Sequence, residues 1–270
     1  MTAMPGPMDG RAAIVTGASK GIGRRLAIGL AAAGADVIVN YKTDADGADE
    51  VCREIDASGV GRARAIGADV GSSREARELV RAAVDGFGRL DLLVNNAGRT
   101  RFGPANQMTD EDFDDVVNTN LRGAFFASVA AAEAMGETGG SIVNISSCAA
   151  SLMIEHHSLY TMSKGGLEAL TRQLAFEFAP AVRVNAIAPA PTSNARNLEY
   201  DPDYDANWGR VIPMQRVAQA QDFVGPLLFL ATDASGFLTG EVLHVDGGWS
   251  LKGHTPALDS YDYSSDRARG

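Results

Sequence analysis

The stretch AAIVTGASKGIGRRLAIGLAAAGADVIVN, residues 12–40, contains a strand, a glycine-rich turn, a helix and a second strand. Residues 12–16 form a short apolar run typical of a buried strand, and the turn GASKGIG follows at residues 17–23. A helical pattern then ends at Gly34, before a second apolar strand at residues 36–40. This order predicts a βαβ unit at the head of the chain.

The glycine-rich turn has a direct chemical meaning when it joins a strand to a helix. Glycines lack a Cβ, so the backbone can come close to a pyrophosphate. The free N–H groups and the dipole at the helix N-terminus then attract the phosphates. The turn at residues 17–23 therefore predicts a dinucleotide-binding site.

Helices and strands continue to alternate after this unit. Further helices are predicted at residues 46–57, 73–87, 109–135, 159–178 and 221–231, and further strands at residues 63–67, 91–94, 141–145, 182–187 and 241–245. Alternation of this kind predicts a mostly parallel sheet covered on both faces. We expect an α/β fold: one doubly wound Rossmann-type domain with a seven-stranded sheet over residues 11–250. Residues 1–10 are predicted to be flexible, residues 190–216 to form a substrate lid, and residues 251–270 to form a tail.

Five predicted strands are each followed by a residue suited to ligand binding, namely Gly17, Asp69, Asn96, Ser147 and Pro189. Ligands of open parallel sheets bind outside the carboxyl ends of the strands. The sequence therefore predicts one binding site along this edge.

Tyr160 and Lys164 lie four residues apart in a predicted helix, and Ser147 precedes them. The spacing places phenol and ammonium on one helix face, one turn apart. A nearby ammonium favours phenolate, so we expect a Tyr160 pKa below its usual value of about 10. Such a phenol can exchange a proton with an alcohol or carbonyl oxygen that a serine hydroxyl holds.

Composition excludes several classes of function. The 270 residues are 45% hydrophobic and 21% charged, and the net charge of −10 argues against nucleic acid or an anionic membrane as a partner. No apolar run approaches 18 residues, so we expect a cytoplasmic protein. Cys52 and Cys148 are far apart and give neither a disulfide framework nor metal-ligand spacing, so no metal site is predicted.

Taken together, the motifs resemble those of the short-chain dehydrogenase/reductase family in order and spacing. The matching segments are TGASKGIG (16–23), DV (69–70), NNAG (95–98), Asn120 in NTNL, NISS (144–147), YTMSK (160–164), RVNAIAP (183–189) and GEVLHVDGG (240–248). The resemblance covers residues 11–249, and the ordered set is far more specific than any one motif.

The resemblance implies catalytic roles for four residues. Tyr160 would donate or accept the proton, and Ser147 would hold the substrate oxygen. Lys164 would lower the Tyr160 pKa and bind the nicotinamide ribose. Asn120 would kink its helix and support a water in a proton relay, although an amide satisfied by a neighbouring carbonyl is the alternative.

A nicotinamide dinucleotide is the cofactor that the resemblance implies. Its predicted contacts are Gly17, Ser19, Lys20, Gly21, Ile22, Gly23, Asn40, Tyr41, Lys42, Asp69, Val70, Asn96, Ala97, Gly98, Tyr160, Lys164, Pro189 and Thr192. Asn40 stands where NAD-preferring relatives usually carry an acid, so it does not repel a 2′-phosphate, while Lys20 and Lys42 can pair with one. NADP(H) is therefore expected in preference to NAD(H), which stays possible.

The sequence departs from the family pattern at two positions, where Ala190 replaces a glycine and Asn194 replaces a threonine. Both fall where the nicotinamide carboxamide should lie. Substrate signals are fewer: Arg99 and Arg101 could attract an anionic substrate, and Glu155, His156 and His157 lie on the loop that should line the entrance, where a histidine could contact the substrate. The arginines and the histidines are equally compatible with solvent-exposed surface positions.

These observations predict an oxidoreductase acting on a small-molecule carbonyl or alcohol, most simply an NADPH-dependent ketone or 3-oxoacyl reductase. A sugar or secondary-alcohol dehydrogenase is the alternative, and a non-catalytic dinucleotide-binding regulator a third reading. Helices near residues 112–135 and 159–178 are apolar on more than one face, which predicts a homotetramer. The tail, residues 251–270, is hypothesised to pack across a subunit interface near the lid.

Overall fold

The computed structural model describes residues 6–251, and their core is a seven-stranded parallel sheet. The strands are β1 (Ala12–Val15), β2 (Asp36–Tyr41), β3 (Ala63–Gly67), β4 (Leu92–Asn95), β5 (Gly140–Ile145), β6 (Val182–Pro189) and β7 (Val242–Val245). Their order across the sheet is β3-β2-β1-β4-β5-β6-β7. The order reverses between β1 and β4, which opens a crevice at their carboxyl ends. The predicted doubly wound α/β fold is confirmed.

The α-helices of the described residues cover both faces of this sheet. They are α1 (Gly21–Ala32), α2 (Ala45–Ser58), α3 (Ser73–Phe87), α4 (Asp110–Val117), α5 (Gly123–Met135), α6 (Ser158–Phe178), α7 (Ala195–Tyr200), α8 (Tyr204–Gly209) and α9 (Val224–Ala231). Apolar side chains pack the helices onto the sheet, Leu26, Leu30 and Phe223 on one face and Leu79 and Leu174 on the other. No helix among residues 6–251 is long and apolar enough to span a membrane.

Two predicted regions differ from the structure in more than their end residues. The helix predicted over residues 109–135 is divided by a π-helical turn, Asn118–Arg122, between α4 and α5. The predicted irregular stretch after Pro189 contains α7 and α8, and Asn194 caps α7 by accepting a hydrogen bond from the Asn197 N–H. Asparagine is a favoured N-cap because its side-chain oxygen satisfies an otherwise unpaired amide.

Residues 6–10, predicted to be flexible, are instead packed onto the end of α1. The Met8 side chain is fully buried, and its N–H donates to the Ala33 carbonyl oxygen at 2.9 Å. Burial of a large apolar side chain stabilises a segment that composition alone marks as irregular. The predicted tail from residue 252 onward lies outside the described residues.

Candidate active site

Asn40 fixes the glycine-rich turn from behind. Its side-chain oxygen accepts from the Gly17 N–H at 3.2 Å, and its amide nitrogen donates to the carbonyls of Tyr41, Ile66 and Ala68. The residue is 2% exposed. The Asn40 side chain, predicted to contact the cofactor, is therefore hydrogen-bonded to backbone groups through both its oxygen and its nitrogen.

Asn96 fixes the turn from the side of β4. Its amide nitrogen donates to the carbonyl oxygens of Thr16 and Gly17 at 2.8 and 3.0 Å. The Thr16 hydroxyl in turn accepts from the N–H groups of Asn96 and Ala97. These hydrogen bonds hold the turn across the point where the strand order reverses.

The glycine-rich turn leaves room for a dinucleotide. Gly21 has a φ of +61°, and a Cβ placed on it would meet no atom within 4 Å. No side chain caps the N-terminus of α1, where Lys20 precedes the first turn. Open space beside uncapped helix N–H groups fits a phosphate. Ser19 and Val70 are buried nearby, while Ile22 lines the cleft.

The two lysines predicted to meet a 2′-phosphate differ. Lys42 forms an ion pair with Asp69, with 2.7 Å between Nζ and Oδ2. Burial would raise the pKa of Asp69, but hydrogen bonds from Lys42 and the Gly71 N–H and the nearby positive charges lower it overall. Lys20 is exposed and makes no ion pair with any described residue. Asp44, close behind, caps α2 through the Gly47 N–H.

Tyr160 and Lys164 lie in the first two turns of α6, as the spacing predicts. The Lys164 Nζ is 5.7 Å from the centroid of the Tyr160 ring and donates to the Ile145 carbonyl at 2.7 Å. A Cβ placed on Gly98 would lie 3.7 Å from this Nζ and 3.6 Å from the Asn120 Oδ1. A glycine at this position keeps the ammonium open to the cleft.

The expectation that Lys164 lowers the Tyr160 pKa is wrong for the described structure. Burial raises the pKa of Tyr160, and the hydrogen bond with Ser147 and the charge of Arg196 only partly offset it. Burial likewise lowers the pKa of Lys164 from 10.5 to about 8. Burial thus shifts both groups toward their neutral forms, although a lysine with a pKa of about 8 is still mostly an ammonium at neutral pH.

Ser147, rather than Ser146, is the serine that is hydrogen-bonded with Tyr160, although both serines line the cleft. The Ser146 hydroxyl donates to Glu168 at 2.9 Å, whereas the Ser147 hydroxyl interacts with the Tyr160 phenol. Cys148 is fully buried, and burial together with Asp246 raises the pKa of its thiol to about 12. Its thiol is therefore protonated at neutral pH and is no nucleophile.

Asn120 lies in the middle of the π-helical turn that interrupts the helix predicted over residues 109–135. Its side-chain oxygen accepts from the Arg99 N–H at 2.7 Å, and its amide nitrogen donates to the Arg99 carbonyl and to Ser163. Ser163 donates onward to the Tyr160 carbonyl at 2.8 Å. The side chain thus joins the loop after β4 to α6, in agreement with the alternative of an amide satisfied by the backbone.

The two departures from the family pattern fit without backbone strain. Ala190 is buried and does not have a positive φ; the non-glycine residues that do, within residues 6–251, are His156 and Gln215. Thr192 donates its hydroxyl hydrogen to the Ala190 carbonyl at 2.8 Å. The Asn194 amide donates to the Thr192 carbonyl at 3.0 Å. The hydrogen bonds of Thr192 and Asn194 therefore stabilise the turn after Pro189.

The cleft at this edge has a volume of about 610 Å³ and includes Ser147, Tyr160 and Lys164 in its wall. Its opening, which we call the mouth, is formed by Phe102, His157, Arg196 and Tyr200. The Phe102 ring centroid lies 4.6 Å from that of His157 and 6.3 Å from that of Tyr200. The sequence does not distinguish His156 from His157; both line the cleft, and His157 packs against Phe102 at the mouth.

Arg196 was not indicated by the sequence motifs, although it lies in the predicted lid. A single basic residue among the acidic and amide residues 194–205 was the available signal. Arg99 and Arg101, which were considered as anion-binding candidates, form ion pairs with Asp115 at 3.5 and 2.7 Å.

Comparisons with known proteins agree with this geometry. The sequence profile of the family described as Enoyl-(Acyl carrier protein) reductase matches residues 17–250. The chain is 38% identical to a 3-oxoacyl-[acyl-carrier-protein] reductase of Synechocystis, over 89% of this chain and 97% of the relative. It is 36% identical to 3beta-hydroxysteroid dehydrogenase 1 of Eggerthella lenta, over 90% and 95% of the two chains.

Among solved structures, the chain is similar to a blue fluorescent protein from a metagenomic library in complex with NADPH. The two share a TM-score of 0.85 and 34% identity, over 90% of this chain and 99% of the other. Similarity of this extent covers the sheet, the cleft and the helices that surround it.

Proposed function

The chain belongs to the short-chain dehydrogenase/reductase family, and we propose that it is an NADPH-dependent reductase of small-molecule ketones, with 3-oxoacyl compounds as the starting class. The observation that carries this proposal is the meeting of a serine hydroxyl, a buried phenol and a buried ammonium in one cleft wall. Such a set can hold a carbonyl oxygen and give it a proton.

Each of these side chains has one task in the proposed reaction. Ser147 donates a hydrogen bond to the carbonyl oxygen, and Tyr160 transfers its phenolic proton to that oxygen. Because burial raises the pKa of Tyr160, the phenol is protonated at neutral pH and carries the proton that the reduction requires. Lys164 supplies N–H groups behind the phenol, and Asn120 fixes α6 through Ser163.

The nicotinamide dinucleotide supplies the hydride when bound. We assign its phosphates to the turn of Gly17 and Gly21, and its nicotinamide end to the wall near Gly98 and Lys164. Lys20 is the cation best placed for a 2′-phosphate, because Lys42 is shared with Asp69. The complex of the NADPH-bound neighbour supports the choice of NADP(H).

Alcohol oxidation is the second candidate, since the same groups run in reverse when Tyr160 accepts the proton. The name of the Eggerthella relative, a hydroxysteroid dehydrogenase, supports it. A regulator that only binds dinucleotide needs no proton donor, so the Ser147–Tyr160 contact disfavours that reading.

The deciding experiment measures kcat/KM for ketones, 3-oxo esters and thioesters with NADPH and NADH, and for sugars and secondary alcohols with the oxidised cofactors. We expect ketone reduction with NADPH to give the highest efficiency. Turnover of alcohols alone would favour the second candidate, and dinucleotide binding without any turnover would favour the regulator.

A homotetramer also follows from two exposed apolar faces. Phe125 on α5 and Phe176 on α6 support the predicted face, and Phe176 is 83% exposed. Phe229 and Phe237, in and after α9, form a second face that the sequence analysis missed. A tetramer with D2 symmetry needs at least two self-complementary faces. Light scattering that gives a monomer at micromolar concentration would reject this assembly.

Two further expectations stay predictions. The cytoplasmic location is to be checked by cell fractionation. The domain limits at residues 11–250 and the lid at residues 190–216 are to be checked by limited proteolysis, with and without NADPH.

A further inference from the structure

Arg196 lies across the mouth of the cleft and is held there by neutral groups. Its guanidinium carbon is 5.3 Å from the Phe102 ring centroid and 5.9 Å from that of Tyr200. Its Nη2 donates to the Thr100 carbonyl at 3.4 Å. Cation–π contacts of this kind orient a guanidinium without neutralising its charge.

No carboxylate among residues 6–251 lies within ion-pair distance of Arg196. The carboxylates in the cleft wall are Asp201 and Glu155. Asp201 accepts hydrogen bonds from the Asp203 N–H and the Asn207 amide, and Glu155 is exposed. Arg196 therefore keeps the charge and the donors that Arg101 spends on Asp112 and Asp115.

The guanidinium also acts on the reacting phenol. Burial raises the pKa of Tyr160 and the charge of Arg196 counteracts it, so the two groups share one electrostatic environment. Arg196 lies in the wall of the same cleft as Ser147 and Tyr160. An anion bound to Arg196 would therefore belong to the molecule whose carbonyl is reduced.

We infer that Arg196 is the specificity residue of the cleft and that it selects ketone substrates carrying a carboxylate, that is, oxo acids. This inference rests on the proposed function. The guanidinium fork donates two parallel hydrogen bonds to the carboxylate, with Phe102 and Tyr200 limiting solvent access. In the reaction, the carbonyl carbon gains hydride, its oxygen gains the Tyr160 proton, and the carboxylate is unchanged.

The test compares oxo acids with their methyl esters, using 2-, 3-, 4- and 5-oxo acids to find the spacing. Neutral N-acetylcysteamine thioesters and charged coenzyme A thioesters of the 3-oxo acids form separate arms. The variants are Arg196→Gln and Arg196→Lys, with Arg101→Gln as the matched control because its guanidinium is ion-paired. NADPH is kept saturating throughout.

We expect wild type to prefer one acid over its ester. Arg196→Gln should raise the KM for that acid about 10- to 100-fold, because a charged hydrogen-bond partner is lost. Any change in kcat, from loss of the charge near Tyr160, should be the same for acid and ester. The KM of the ester in Arg196→Gln, and the KM of the acid in Arg101→Gln, should change less than about twofold. Arg196→Lys should restore part of the affinity, since it keeps the charge but not the fork.

Equal efficiency for acid and ester in wild type would overturn the inference while leaving the proposed function intact. So would a preference for the coenzyme A thioester over both, or an equal loss for acid and ester in Arg196→Gln. If wild type reduces no carbonyl compound, the proposed function fails instead. Thermal protection by the acids then decides: protection lost in Arg196→Gln supports anion binding, and its absence in wild type overturns it.

Discussion

The inner wall of the cleft and its mouth treat polar side chains in opposite ways. On the inner wall, Asn96 and Lys164 line the cleft and Asn40 and Asn120 are buried behind it, and each donates a hydrogen bond to a backbone carbonyl. At the mouth, Arg196 and Tyr200 are exposed and Arg196 has no ionic partner among the described residues. The side chains of the inner wall therefore fix the geometry of the site, whereas those of the mouth have polar groups available to contact a substrate.

Removing the Tyr160 hydroxyl should produce the largest effect, because it deletes the proton that the proposed reaction transfers to the substrate oxygen. Tyr160→Phe should lower kcat for ketone reduction about 10²- to 10⁴-fold while NADPH binding, measured by fluorescence titration, is retained. Ser146→Ala serves as a matched control, since Ser146 lines the same cleft but donates its hydrogen bond to Glu168. A variant that kept more than about one per cent of the rate would show that the proton comes from elsewhere.

Asn40→Asp sharpens the comparison by testing whether Asn40 reads the cofactor or supports the turn. The amide nitrogen faces three carbonyl oxygens, so a carboxylate there would keep the hydrogen bond from the Gly17 N–H through one oxygen but bury the other oxygen against acceptors only. We expect a loss of about 3 kcal/mol in unfolding free energy, with weaker binding of both NADPH and NADH. The measurement is denaturant unfolding alongside titration of both cofactors.

Lys42→Met is the control for that prediction, because Lys42 is exposed and forms a surface ion pair with Asp69. The unfolding free energy of the Lys42→Met protein should differ from that of wild type by less than about 1 kcal/mol. A stable Asn40→Asp protein that simply switched to NADH would mean that Asn40 contacts the ribose after all.

Lys164 should reveal its burial through the pH dependence of stability. The unfolded lysine stays protonated up to about 10.5, whereas burial lowers the folded pKa to about 8. The unfolded state therefore binds more protons between these values, and rising pH favours the folded state by up to about 1.4 kcal/mol per pH unit. Urea unfolding from pH 7 to 9.5 gives the unfolding free energies of wild type and of Lys164→Met, and the difference between them should rise with pH. A difference that does not change with pH would place the ammonium in solvent.

Tyr200→Ala should produce the smallest effect, because the side chain is largely exposed at the mouth. We expect KM for bulky ketones to change about two- to fivefold with kcat and unfolding free energy nearly unchanged, as one aromatic contact is worth about 1 kcal/mol or less. A large fall in kcat would show that the mouth takes part in chemistry and would remove the distinction between the two regions.

The sequence predicted the sheet, the edge where ligands bind and the residues of the inner wall, because each is marked by a local motif. It could not predict that the Asn40 amide turns toward Ile66 and Ala68, since that depends on the neighbouring strand. The prediction of a lowered Tyr160 pKa was wrong for a related reason, because the burial that raises this pKa comes from segments distant in sequence. No motif marks Arg196, because the mouth is assembled from three segments that are separate in sequence: the loop after β4, the residues before α6, and α7.

Both native cysteines have depressed reactivity, which matters for site-specific labelling. Burial and nearby aspartates raise the pKa of Cys52 to about 11 and that of Cys148 to about 12. At neutral pH neither presents an appreciable thiolate to a maleimide or iodoacetamide probe. A cysteine introduced at exposed Tyr200 would therefore be the single fast-reacting thiol, so a fluorophore placed there could report closure of α7 without a cysteine-free background.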